Sequence, residues 1–110
     1  MRLPNAKDAI VDVRKLEEYC LNPDHPRGKH KARVFQRALS VGRADAFELR
    51  ERILEAVHVE NCARGEADRY GTRYTLDFEW RRGGKDARVR TTWLVKTAED
   101  VPRLTSCYVM

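Results

Sequence analysis

Between Asn22 and Phe35 the chain reads NPDHPRGKHKARVF, which sets two imidazoles, His25 and His30, among the fixed cations Arg27, Lys29, Lys31 and Arg33. Lys and Arg can hold a phosphate, and an imidazole can take up and release a proton near neutral pH. The segment therefore has the groups to bind a phosphate and to move protons on either side of it. A patch that only bound anions would not need the histidines. Plainer roles fit the same side chains: His25, between Asp24 and Pro26, is placed to cap a turn, and a run of cations can be no more than a solvated face. The acids and histidines show no metal-ligand spacing such as H-x-x-x-H, so no metal and no other cofactor is expected.

Composition narrows the setting. A length of 110 residues fits one domain, 1–110, with a real core. With 42% hydrophobic and 35% charged residues the exterior is heavily charged, and no apolar run approaches the roughly 20 residues of a membrane span. The net charge of +5 rests mostly on arginine, whose planar fork grips phosphate or carboxylate at two points. An anionic partner is favoured, with a merely solvated basic surface as the alternative. Cys20, Cys62 and Cys107 are scattered and never in C-x-x-C, which points away from a disulfide framework; Cys20 and Cys107 have apolar neighbours and are expected in the core. The start, MRLPNAKDAIVDV, lacks the apolar stretch of a secretory signal, so a cytoplasmic setting is the expectation.

Periodicity supplies the elements that must position these groups. Ala9 to Val13 suits a short strand, and Val13, Leu16, Tyr19 and Cys20 then recur at helical spacing until Asn22-Pro23 stops them. Two prolines and Gly28 force a loop. From about Lys29 the pattern is helical, with Lys31, Val34, Phe35, Ala38 and Leu39 along one side and Gly42 placed to end it. A second helix opens on the capping pattern Asp45-x-x-Glu48 and buries Ala46, Leu49, Ile53, Leu54 and Val57. The period then changes to two. Tyr74, Leu76, Phe78 and Trp80 alternate with polar residues, Gly83-Gly84 turns the chain, and Ala87, Val89, Thr91, Trp93 and Val95 alternate with Arg88, Arg90, Thr92, Leu94 and Lys96, which reads as a hairpin. A last strand, Leu104 to Val109, follows Pro102.

Helices first and strands afterwards is an α+β order, with helices on one face of an antiparallel sheet of about four strands and the other face open. Arg88, Arg90, Thr92 and Lys96 are candidates for that open face. Asp77, opposite arginines, suits a cross-strand ion pair. Tyr74, Trp80 and Trp93 at alternating positions suit a core as well as a base-stacking platform.

Taken together, LPNA, D-x-x-K-L-x-x-Y, NPDHPRGKHKARVF, E-A-D-x-Y-G-x-R-Y-x-x-D, V-R-T-x-W and P-R-L-T-S-C-Y resemble, over nearly the whole chain, a small bacterial domain. That domain occurs alone and as the C-terminal tip of polymorphic or contact-dependent toxins, beside a cognate immunity or antitoxin gene. Its toxin-tip relatives resemble the barnase, EndoU, colicin and RelE-like ribonuclease fold class. The resemblance implies a toxin-type endoribonuclease that cleaves RNA, tRNA among the candidates, without metal. In that chemistry the 2′-hydroxyl attacks the adjacent phosphate and leaves a cyclic phosphate. A small acidic immunity or antitoxin protein would neutralise it.

Matching positions are His25, His30 and Lys31, then Tyr70, Arg73 and Tyr74, then Arg90, Thr91 and Trp93, and Tyr108. By side-chain chemistry His30 or His25 would serve as base or acid, Lys31 and Arg73 as phosphate clamps, and Arg90 and Thr91 as strand-borne contacts. Tyr74 or Trp93 would stack a base, with Lys29 and Arg33 adding RNA contacts. Arg90 and Thr91 point to opposite faces of a regular strand, so both enter one site only through a bulge or strand end. Lys31 stands out because a cation at a helix start is opposed by the helix dipole. The competing reading is a non-catalytic nucleic-acid- or protein-binding module of the same fold.

Overall fold

A computed structural model describes residues 1–110. The chain forms helices first: α1 (Val13–Lys15), which continues as a π-helical turn over Leu16–Cys20, then α2 (Lys29–Leu39) and α3 (Ala46–Val59). Four strands follow, β1 (Cys62–Asp68), β2 (Gly71–Arg82), β3 (Lys85–Lys96) and β4 (Pro102–Val109), in one antiparallel sheet of order β1-β2-β3-β4. This is the expected α+β architecture, with the helices on one face of a meander. No helix is long and apolar enough to cross a membrane.

The β2–β3 hairpin forms because both strands alternate, and its register pairs Phe78 with Val89 and Tyr74 with Trp93 on the helix side. Gly83 and Gly84 turn it at φ 55° and 80°, a left-handed region that side chains resist. Leu76, Phe78, Val89 and Trp93 join Leu16, Phe35, Leu39, Leu49 and Ile53 in one core of 22 buried residues. On β4 both Leu104 and Cys107 are buried although they stand three apart. The ladder allows this by slipping one residue at Thr105, pairing Thr92 with Ser106 but Trp93 with Leu104. After that slip Tyr108 pairs with Arg90 and shares its open face.

Three local expectations are corrected, and one strand was not anticipated. Ala9 to Val13 is not a strand: Ile10 alone bridges β4, in parallel, at Arg103. Gly42 does not end α2; Ser40 does, at φ 55°, and Gly42 instead donates its N–H to Asp45 at 2.9 Å ahead of α3. Asp45 and Glu48 do not cap α3 through their side chains but bind Arg82, Glu48 in a fork at 2.7 and 2.9 Å. The strand β1 carries no alternation to betray it, since only Cys62 is buried and its other residues lie exposed along the sheet edge.

Candidate nucleic-acid interface

The segment 22–28 folds around His25. Its Nδ1 accepts the N–H groups of Arg27 at 3.0 Å and Gly28 at 2.9 Å, which fixes the ring's hydrogen on Nε2. The turn-capping role is therefore the one His25 fills. Its ring also meets Tyr19 edge to face, centroids 4.9 Å apart. Gly28 lies against the Tyr19 backbone so closely that a Cβ there would stand 2.0 Å from the carbonyl oxygen. Loop and π-turn together hold the Tyr19 side chain in place.

Tyr19 in turn holds Lys31. The Lys31 ammonium donates to Tyr19 Oη at 3.2 Å and lies 5.1 Å from the Tyr19 ring and 5.8 Å from that of Tyr108. Lys31 takes part in no ion pair, and the first turn of α2 contains no acid. Two electron-rich ring faces offset the unfavourable dipole at this position. His30, Lys31, Val34, Tyr108 and Val109 line a shallow cavity of about 470 Å³, with His30 exposed at its rim.

From Tyr108 the site continues onto the open sheet face. Arg90, its cross-strand neighbour, donates Nε and Nη2 to the two carboxylate oxygens of Asp77, both at 2.9 Å. Arg88 adds contacts of 3.6 Å to Asp77 and 3.1 Å to Glu79. The Arg90 hydrogen bonds hold the Asp77 carboxyl below the usual carboxylate range, against the opposing effect of its partial burial. Asp77, with Tyr108 as a smaller contributor, raises Arg90 in return. The cationic stripe expected on β3 is thus largely neutralised by β2. On α2, by contrast, Lys29, Lys31, Arg33 and Arg37 have neither an acid in the helix nor an ion-pair partner.

The other anticipated residues are spread through the fold. Thr91 is fully buried, donating to the Leu76 carbonyl at 2.7 Å and accepting from Trp93 Nε1 at 2.8 Å. Trp93 and Tyr74 face the core beside it. Strand parity therefore removes Thr91, Trp93 and Tyr74 from any ligand surface, with no bulge at Arg90–Thr91 to rescue them. Arg73 shares the open face but sits at the β1–β2 hairpin end, bound to Asp68 at 2.8 Å. By register it lies four residues along and two strands across from Tyr108, about 16 Å away by strand geometry, and does not meet Lys31. Lys29 and Arg33 lie round α2 from the cavity. Only His30 and Lys31 come together, with Arg90 reached through Tyr108. Tyr19, twelve residues from Lys31, closes the D-x-x-K-L-x-x-Y motif and falls at helical spacing, but neither pattern gave it a place in the site. The thiols of Cys20, Cys62 and Cys107 are free and buried, and burial pushes all three up, leaving them protonated and inert.

A family model described as a domain of unknown function, DUF6883, matches residues 2–110. The chain belongs to the DUF6883 family. No curated protein matches this DUF6883 chain in sequence. Among solved structures it is similar to a chain of a contact-dependent growth inhibition toxin–immunity protein complex from Klebsiella pneumoniae 342. The TM-score is 0.69 at 15% identity, over 93% of this chain and 100% of that one. At that identity the likeness is one of fold, and it covers the DUF6883 helices and sheet alike.

Proposed function

We propose that this chain is a toxin-type endoribonuclease that cleaves RNA without metal, acting through His30 and Lys31. The observation that carries the reading is Lys31: an ammonium with no counter-ion, clasped by two tyrosines beside an imidazole, at the edge of an open sheet face. A scissile phosphate entering the cavity would place its non-bridging oxygens against Lys31. His30 would draw the proton from the 2′-hydroxyl as the new O–P bond forms, then return one to the departing 5′-oxygen as the old bond breaks. Lys31, and the Nη1 of Arg90 that Asp77 leaves free, would hold the negative charge that grows on phosphorus. The fold shared with a chain of a toxin–immunity complex supports the toxin setting, and with it an acidic immunity protein as partner.

A second reading, a non-catalytic binding module, is favoured by one feature: His25 is committed to its turn, so His30 must serve as both base and acid. Purified chain without any partner separates the two. Under the enzyme reading total RNA is cut to cyclic-phosphate ends, and Lys31→Met or His30→Ala slows cutting by about 10²-fold or more with melting unchanged. RNA that stays intact but bound would leave only the module.

A further inference from the structure

On the far flank of α2 from Lys31 runs a groove of about 590 Å³, with Leu21 and Pro23 on one side and Arg33, Arg37 and Arg43 among its lining residues. Arg43 is fixed, its Nε donating to the Glu17 carbonyl at 2.8 Å, while the side chains of Arg33 and Arg37 have no partner and stand exposed. Arg33 and Arg37 are one turn apart, about 6 Å along the axis, and within about 60° of His30 on the helix circumference. The positive surface is thus continuous from the His30–Lys31 cavity over the exposed side of α2 into the groove, with no acidic residue in the helix to interrupt it.

We propose that this groove is an RNA-backbone exosite, gripping phosphates of the same strand whose scissile phosphate lies at Lys31; the proposal rests on the ribonuclease reading. Guanidinium forks suit phosphate oxygens, and their charge makes the contact indifferent to base sequence. A protein partner would be anchored by arginine together with large aromatic or apolar side chains. The exposed aromatic and apolar ones here, Met1, Ile10, Phe47, Val59, Tyr70 and Met110, all lie outside the groove. Phosphate therefore fits this surface better than an acidic protein does.

The test uses a fluorescein-labelled 2′-O-methyl RNA oligonucleotide, which binds but cannot be cut by 2′-hydroxyl attack. Its affinity is measured over a range of KCl concentrations for wild type, Arg33→Ala/Arg37→Ala and Arg33→Lys/Arg37→Lys, beside cleavage of unmodified RNA. Each cation removed from a single-strand contact lowers the slope of log affinity against log salt by about 0.7, so the alanine pair should lose about 1.4. The lysine pair should keep the slope, and the alanine pair should need more RNA to reach half its maximal cleavage rate. Equal slopes for wild type and the alanine pair, with wild-type cleavage intact, overturn the exosite alone. Equal RNA slopes with weakened binding of an acidic partner protein assign the groove to that protein instead. A wild type that neither binds nor cuts RNA removes the ribonuclease reading and the exosite together.

Discussion

The Lys31 ammonium sits 3.2 Å from Tyr19 Oη with no carboxylate paired to it. A half-buried lysine in the first turn of a helix costs stability by the dipole and by lost hydration, and here aromatic faces rather than an acid offset that cost. The charge is left available. Tyr19 supplies an acceptor as well as a ring, and the two contributions separate experimentally. Tyr19→Phe keeps the ring face and removes the hydroxyl, a loss of about 1 kcal/mol of positioning or roughly five-fold in RNA cleavage. Lys31→Met should fall far below that. If Tyr19→Phe matches Lys31→Met, the hydroxyl itself takes part in proton transfer; if it leaves cleavage untouched, the hydrogen bond does not position the ammonium.

Asp77 and Arg90 give stability and function opposite signs. Asp77 is held below its ordinary value of 3.8 in the folded chain, so its contribution is complete above that pH and fades as pH falls through the lower folded value. Asp77→Asn should therefore melt several degrees lower than wild type between pH 5 and 8, with the two curves converging below pH 3.8. The same substitution removes a negative charge from the open face and frees the Arg90 fork, so RNA binding should tighten. A melting gap that persists unchanged in acid would mean the loss is one of packing rather than charge.

Much of this was legible in the chain itself. Tyr74 to Trp80 alternate strictly and Ala87 to Val95 nearly so, and a period of two with a Gly-Gly turn leaves little but a hairpin. β1 escaped because a sheet edge exposed on both faces needs no apolar alternation, and the slip at Thr105 leaves no trace in composition. Within the site, Lys31 stood out by breaking the dipole rule. Arg90 was visible, and so was Asp77 as its cross-strand ion-pair partner, which the register sets directly opposite. The contact between Tyr19 and Lys31 depends on how loop 22–28 folds back, which no local pattern carries.

Thr91 sits in a motif that resembles a functional one, yet its hydroxyl is saturated inside the core. Thr91→Val keeps the shape and strands both the Trp93 indole N–H and the Leu76 carbonyl. A buried group left unpaired costs about 1–3 kcal/mol, so the variant should melt several degrees lower. At a temperature where it is still folded its cleavage of RNA should match wild type. A variant that melts normally but no longer cleaves would return Thr91 to the site.

Gly28 joins the loop to the site through Tyr19. A Cβ there would stand 2.0 Å from the Tyr19 carbonyl oxygen and 3.1 Å from its ring carbon Cδ1, and the first of these contacts is with backbone, which cannot step aside cheaply. Gly28→Ala must therefore push the π-turn and α2 apart, at a cost of about 1–3 kcal/mol for overpacking. Because the displaced residue is the one that holds Lys31, the effect should not stop at stability. RNA cleavage should drop at temperatures well below the melting point, with a loss approaching that of Tyr19→Ala. In a two-dimensional heteronuclear NMR spectrum the peaks that move should be those of Tyr19, His25, Lys31 and Tyr108, while Phe78 and Val89 in the distant hairpin stay put. If the shifts spread evenly through the core, or if cleavage survives at full rate, the loop does not set the geometry of Lys31 and Tyr19 is held by the helix alone.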